Sequence, residues 1–184
     1  WIEPVLVSEW VKTMASYSGN SIYKSPKEQY FLQQALNWEE PKRTTVEVRN
    51  RFEQLQQQTP NNAAGIAQCI WSAKPITDKY EIDHSMPFAR WPNNDLWNLL
   101  PTDCKINNQK SDRLPTEYKL RSAKERIQYW WQTAWLDDEL LDTQTGNHQR
   151  FFAEANIALP GLSSDNSSVD DLFEALVMQR GRLK

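Results

Sequence analysis

An aspartate and a histidine, Asp83 and His84, are adjacent at the end of a predicted strand, and such side chains can bind a metal ion or transfer a proton. Asn107 lies on a predicted helix further along the chain. Carboxylate and amide oxygens suit Mg²⁺, which keeps several waters and completes its coordination shell with phosphate oxygens. Asp83 and Asn107 are therefore candidate ligands for a divalent cation.

His84 is the candidate base beside that cation. A neutral imidazole with an ordinary pKa of about 6.5 can take a proton from water at neutral pH. Asp83 and His84 point to opposite faces of a regular strand, so both border one cleft only where the chain turns out of the strand. A metal ion at the leaving oxygen and a base at the incoming water together hydrolyse a phosphodiester. We expect a rate that rises with pH through the ordinary histidine range.

Further asparagine and lysine positions complete a spaced motif around this pair. Asn98 follows His84 by fourteen residues, Asn107 follows Asn98 by nine, and Lys110 lies about one helical turn later. This segment resembles the HNH endonucleases, also called ββα-metal nucleases. In that resemblance His84 matches the first His of the motif and Asn98 the middle Asn. Asn107 matches the final position, where Asn often replaces His.

Longer strings are similar to a bacterial HNH subgroup. They are Ile82-Asp-His, Pro87-Phe and Asp95-Leu-Trp-Asn-Leu-Leu-Pro. The ending Asn-x-x-Lys-Ser resembles the HNH domain of RNA-guided CRISPR effector nucleases. The motif covers about residues 69–115, and a weaker resemblance extends over most of the chain.

The resemblance implies a role for each matched position. His84 would be the general base, and Asp83 and Asn107 would hold Mg²⁺ or Mn²⁺. Asn98 would fix the loop, and with it the imidazole, through hydrogen bonds to the backbone. Lys110 would approach the metal-bound phosphate or brace its helix.

The motif leaves two asparagines as candidates for one metal ligand, and it lacks the zinc-binding cysteines of many family members. The Asn-x-x-Lys spacing favours Asn107 over its neighbour Asn108 as the ligand. Many HNH proteins carry two Cys-x-x-Cys pairs that bind structural zinc, whereas this chain has only Cys69 and Cys104. Four thiolate ligands cannot be assembled from two cysteines, so we expect no structural zinc and a core that is held by packing.

The elements that must position these residues are mostly helices. The predicted fold class is α+β, mainly α-helical, with a central ββα-metal unit flanked by N-terminal and C-terminal helices. We divide the chain into a helical region over 1–62, the HNH core with its following helix over 63–135, and a helical region over 136–184. Short β-type runs at 69–72 and 80–83 predict a hairpin with a long loop between its strands.

Capping residues predict where several helices begin. A long loop over 85–101 precedes Thr102, which is a candidate cap for a helix that runs to about Asp112. Thr116 opens a longer predicted helix that continues through Trp135. Earlier in the chain, Thr44 and Glu47 have the spacing of a capping box.

Composition excludes a membrane-spanning chain and leaves the role of charge open. The 184 residues carry a formal net charge of −3, and no apolar run approaches the length of about 20 residues that a membrane helix needs. Basic residues outnumber acids from Lys105 to Arg126, and this stretch is either a solvated helix face or a phosphate contact. Because cysteines are few, the expected location is the cytoplasm.

The predicted function is a metal-dependent endonuclease that cuts DNA. We expect an antiviral defence or restriction nuclease, or the nuclease module of a larger, CRISPR-like protein or ribonucleoprotein complex. Because the chain begins at Trp1 rather than at a methionine and is acidic overall, we expect a module that receives DNA from a partner. Two alternatives stay open, a non-catalytic nucleic-acid-binding or assembly module on an HNH scaffold, and a nuclease that cuts RNA.

Overall fold

A computed structural model describes residues 3–17, 25, 28–30, 41–58, 67–76, 79–137, 147–162 and 167–184. The chain divides into two compact units, Trp1–Pro41 and Lys42–Lys184. In the described part of the first unit, helix α1 spans Glu3–Ser16 and buries Val11 and Ala15.

The second unit contains a two-stranded antiparallel sheet. Strand β1 spans Tyr80–His84 and pairs with strand β2, which spans Leu99–Asp103. A short 3-10 helix over Leu96–Asn98 leads into β2. Asp83 and His84 are the last two residues of β1, where the chain leaves the sheet, as the sequence predicts.

The predicted hairpin was wrong in its first strand. Residues 70–72 form a turn, and β2 lies partly within the segment predicted as a loop. Pro101 explains the difference, because proline lacks the N–H that an interior strand needs. A two-stranded sheet consists of edge strands, which tolerate proline, and here Pro101 lies opposite Ile82. The Pro101 carbonyl also accepts a hydrogen bond from the Ile70 N–H at 3.1 Å.

Helix α3, Cys104–Lys110, follows β2 directly and completes a ββα arrangement. Its N-cap is Asp103 rather than the predicted Thr102, and the Asp103 carboxylate accepts from the first free N–H groups of the helix. The helix ends at Lys110 because Ser111 takes a positive φ of 51°, which a right-handed helix cannot continue.

Five more helices of the second unit share one hydrophobic core with the ββα unit. Their bounds are Val46–Gln58 for α2, Glu117–Ser122 for α4, Lys124–Trp131 for α5, Asn147–Ala158 for α6 and Val169–Arg182 for α7. Thr116 caps α4, but the single long helix predicted from there is interrupted at Ala123 and ends in a π-helical turn over Gln132–Leu136. The predicted fold class, α+β and mainly helical with a central ββα unit, is confirmed.

Two tryptophans tie α5 to the segment that carries β2. Trp130 Nε1 donates to the Leu99 carbonyl at 3.0 Å, and Trp131 Nε1 donates to the Trp97 carbonyl at 3.0 Å. A buried indole N–H without a partner would cost about 1–3 kcal/mol, so these bonds let the large rings fill the core. The helix after the motif therefore holds the strand that pairs with β1.

Helix α2 also belongs to this core, although the sequence assigned it to an N-terminal region. Its buried Val48, Phe52 and Leu55 pack within the second unit. The proposed division into regions 1–62, 63–135 and 136–184 stays a prediction. Across the described ranges, no helix has both the length and the apolar character that crossing a membrane requires.

Candidate active site

Asp83 is buried and is held by two hydrogen bonds at the end of β1. The Trp71 indole Nε1 donates to Asp83 Oδ2 at 2.7 Å, and the Lys110 ammonium donates to Asp83 Oδ1 at 3.0 Å. Lys110 Nζ also donates to the His84 carbonyl oxygen at 2.7 Å, which ties α3 to the end of β1. Burial raises the pKa of Asp83 and lowers the pKa of Lys110, and the charge of each group opposes the shift of the other.

The His84 ring is oriented by the side chain of Asn94. Imidazole Nε2 lies 3.1 Å from Asn94 Oδ1. The other partners of Asn94 establish which amide atom is the oxygen, because Nδ2 donates to the Lys42 carbonyl at 2.9 Å and Oδ1 accepts from the Thr44 N–H at 3.1 Å. An amide oxygen only accepts, so Nε2 carries the proton and Nδ1 keeps the basic lone pair.

These bonds also correct the predicted capping box. In a capping box the Thr44 N–H would donate to the Glu47 carboxylate. In the structure the Thr44 N–H donates to Asn94, and Glu47 instead accepts from Arg150 at 2.6 Å. The segment before α2 is therefore attached to the active-site loop.

The free nitrogen of His84 suits a base. Nδ1 is buried and has no hydrogen-bond partner in the part of the chain that the structure describes. Burial lowers the pKa of His84 to about 4; the hydrogen bond to Asn94 opposes this shift, and the charges of Arg43 and Lys110 add to it. The imidazole is thus neutral at pH 7. The rise in cleavage rate with pH is therefore expected near pH 4, below the ordinary histidine range that the sequence predicted.

Asn98 holds the loop that follows β1. Its side chain accepts from the Met86 N–H at 2.8 Å and donates to the carbonyls of Met86, at 3.2 Å, and Asn93, at 3.1 Å. The residue is fully buried and out of reach of water, so these bonds supply the partners that its polar atoms need. These are hydrogen bonds to loop backbone, the kind that the resemblance implies for this position.

A cavity of about 320 Å³ lies beside the ends of β1 and α3. Asp83, His84 and Asn107 all line it, so the structure brings together the predicted base and both predicted metal ligands. Asn98 and Lys110 are not among the lining residues. They support the cavity indirectly, Asn98 through the loop and Lys110 through Asp83.

The lining residues fit a cation that takes few protein ligands. The Asn107 amide makes no hydrogen bond among the described residues, whereas the Asn108 amide donates to Cys104 Sγ at 3.7 Å. Over the same residues, no group of three or more His, Cys, Asp or Glu side chains could hold a metal ion. Two oxygen donors beside an open cavity suit Mg²⁺ or Mn²⁺, which fill their remaining positions with water and phosphate oxygens.

Much of the basic stretch from Lys105 to Arg126 is paired within the fold. Arg121 contacts Glu117 and Glu174, and Lys124 contacts Asp170 at 2.7 Å. Arg126 Nε donates to the Ile70 carbonyl at 2.8 Å. These side chains stabilise helix packing, which favours the interpretation of this stretch as a helix face over a phosphate contact.

Sequence reasoning missed three residues of this site. Trp71 lies in a segment that the sequence predicted as a strand, and its hydrogen bond to Asp83 depends on the turn that forms there instead. Asn94 had a weak signal, since it lies in the polar loop between His84 and Asn98. Arg43 had none, because it precedes Asp83 by forty residues and lies outside the motif.

Residues 69–116 match a family model described as HNH endonuclease. The match spans β1, the loop, β2 and α3 and so contains all five predicted site residues. These residues therefore match the HNH endonuclease family, whose members use divalent metal ions and act on DNA, and the predicted resemblance to that family is confirmed. No curated protein matches the chain.

Proposed function

We propose that the chain is a metal-dependent endonuclease that hydrolyses phosphodiester bonds in DNA. The observation that carries this proposal is the shared cavity, in which a neutral imidazole of defined tautomer lies with the oxygen donors Asp83 and Asn107. The HNH match supports the same reaction class. Mg²⁺ or Mn²⁺, held by Asp83 and Asn107, would stabilise the charge that develops on the leaving oxygen.

His84 acts as the general base in this proposal. Its Nδ1 takes a proton from the attacking water while the water oxygen bonds to phosphorus. As this bond forms, the bond between phosphorus and the 3′ oxygen breaks. The 3′ oxygen leaves and takes up a proton from solvent, which gives the 3′-hydroxyl and 5′-phosphate ends that the resemblance implies. The Nε2–H continues to donate its hydrogen bond to Asn94 Oδ1, and this amide oxygen stabilises the imidazolium that forms.

Asp83, Lys110 and Asn98 hold the site in place. Lys110 is the partner of the buried Asp83 charge and ties α3 to β1, which supports the bracing role rather than a phosphate contact. Asn98 keeps the loop after β1 in one conformation, and Asn94 belongs to that loop. Defined positions matter because catalysis by a base requires it within hydrogen-bond reach of the water.

Cleavage of supercoiled plasmid with Mg²⁺, Mn²⁺ or EDTA tests the proposal directly. Wild type should nick or cut the plasmid with metal and not with EDTA, and His84→Ala should abolish cleavage while DNA affinity stays nearly unchanged. His148→Ala is the matched control, since His148 is the other histidine and lies on α6. Equal turnover by wild type and His84→Ala would remove His84 from the role of base.

The biological setting that we propose is defence or restriction, or a nuclease module of a larger nucleic-acid-guided complex in the cytoplasm. The Asn-x-x-Lys-Ser ending of the motif supports the guided complex by resemblance alone. DNA and RNA substrates compared side by side test the DNA assignment, and preferential RNA cleavage would overturn it. Binding of nucleic acid without any metal-dependent cutting would favour the non-catalytic alternative.

A further inference from the structure

We propose that Arg43 binds the phosphodiester of the substrate in the active-site cavity and that Asn94 is the positioning residue that holds it there. This inference rests on the proposed function, because it names a substrate contact of the same site. Arg43 lies outside residues 69–116, so the HNH match does not include it. The contact would therefore be supplied by the chain segment that precedes α2.

Arg43 is the only lysine or arginine that lines the cavity within the described chain. Its side chain is exposed, and among the described residues it has no ion pair and no hydrogen bond. Other cations nearby are already engaged, since Lys110 pairs with Asp83 and Arg90 Nε donates to the Asp112 carbonyl at 3.1 Å. The guanidinium of Arg43 is thus available to an anion that enters the cavity.

The backbone around Arg43 is anchored on both sides by a single amide. Asn94 Nδ2 donates to the carbonyl of Lys42, and Asn94 Oδ1 accepts from the N–H of Thr44. A chain segment that is fixed at the residues before and after Arg43 presents its side chain from a defined position. Preorganisation of this kind reduces the entropy that is lost on binding.

The same amide oxygen also accepts from His84 Nε2. Asn94 therefore couples the position of the anion-binding side chain to the tautomer of the base. A phosphodiester is a singly charged anion with two free oxygens, and a guanidinium can bind both through parallel hydrogen bonds. The charge of Arg43 already acts on this site, since it contributes to the lowered pKa of His84.

The test compares Arg43→Ala and Arg43→Lys with Arg182→Ala. Arg182 is exposed on α7, does not line the cavity, and loses the same charge on substitution. Affinity for a short fluorescein-labelled DNA duplex is measured by anisotropy without divalent metal over a series of salt concentrations. Plasmid cleavage with Mg²⁺ and thermal unfolding of each variant are measured in parallel.

We expect Arg43→Ala to lower kcat/KM by about tenfold to a hundredfold, as the loss of a charge-assisted hydrogen bond predicts. The slope of log affinity against log salt should fall by about 1 relative to wild type. Arg182→Ala should leave kcat/KM and the slope close to wild type, and Arg43→Lys should recover part of the affinity because it restores the charge without the planar fork. All three variants should unfold near the wild-type temperature.

Equal affinity and equal salt slope for Arg43→Ala and Arg182→Ala, including no measurable binding by either, would overturn the inference. If wild type does not cleave but Arg43→Ala alone weakens DNA binding, the proposed nuclease function fails and the phosphate contact stands. If wild type cleaves and Arg43→Ala cleaves equally well, the nuclease stands and the role of Arg43 fails.

Discussion

Replacing Lys110 with methionine tests the buried ion pair that supports the site. The two side chains are 10% and 4% exposed for Lys110 and Asp83, and Nζ lies 3.0 Å from Oδ1. At this separation and an effective dielectric of about 20, the attraction is roughly 5 kcal/mol. Lys110→Met keeps most of the aliphatic stem and removes the charge, so Asp83 is left buried without its cation.

Protonation of Asp83 sets an upper limit to the resulting loss of stability. Moving a carboxyl of ordinary pKa 3.8 to its neutral form costs about 4 kcal/mol at pH 7 and about 2 kcal/mol at pH 5. Without the charge of Lys110, the folded-state pKa of Asp83 lies further above its unfolded value in the variant than in the wild type, so the variant loses stability relative to wild type as pH rises. We therefore expect a loss of about 3–4 kcal/mol near pH 7 that shrinks below about 2 kcal/mol near pH 5.

Urea unfolding of wild type and variant at both pH values measures this difference. Lys124→Met is the matched control, because Lys124 also pairs with an aspartate, Asp170, at 2.7 Å. That pair is 34% and 73% exposed, so solvent screens it and its loss should change the stability little at either pH. The reasoning is refuted if Lys110→Met is no more destabilising than Lys124→Met, or if its loss does not depend on pH.

Three further predictions concern activity and metal binding. Asn94→Ala should lower the cleavage rate by about tenfold to a hundredfold without abolishing folding, because the bond that keeps the proton of His84 on Nε2 is lost. An unchanged rate in the plasmid assay would contradict this. With the pKa of His84 at about 4, the cleavage rate should be nearly level between about pH 6 and 8, whereas an ordinary pKa of 6.5 would lower the rate at pH 6 about fourfold. Asp83→Asn should weaken Mg²⁺ binding in calorimetry by about tenfold or more, and Asp112→Asn, at an exposed position on the same cavity, should weaken it less.

The chemistry of the site was largely readable from residue types and their spacing. Asp83 and His84 are adjacent, and Asn98 and Asn107 follow at the intervals of a known motif, so local order along the chain was enough to identify them. The structure places Asp83, His84 and Asn107 on one cavity because a strand end and a helix end meet there. The helical character of the chain was equally predictable, since apolar spacing and capping residues act within a few positions of each other.

Contacts between distant parts of the chain were not predictable in this way. The pairing of β1 with β2 passes through Pro101, whose effect depends on whether the strand lies at an edge. Asn94 reaches Lys42 and Thr44 across about fifty positions of sequence, and Trp71 reaches Asp83 from a turn. Such bonds form only after the core has brought the segments together, so no local sequence pattern predicts them. Burial likewise arises only on folding. Burial lowers the pKa of His84, and it makes Asp83 depend on its ion pair with Lys110.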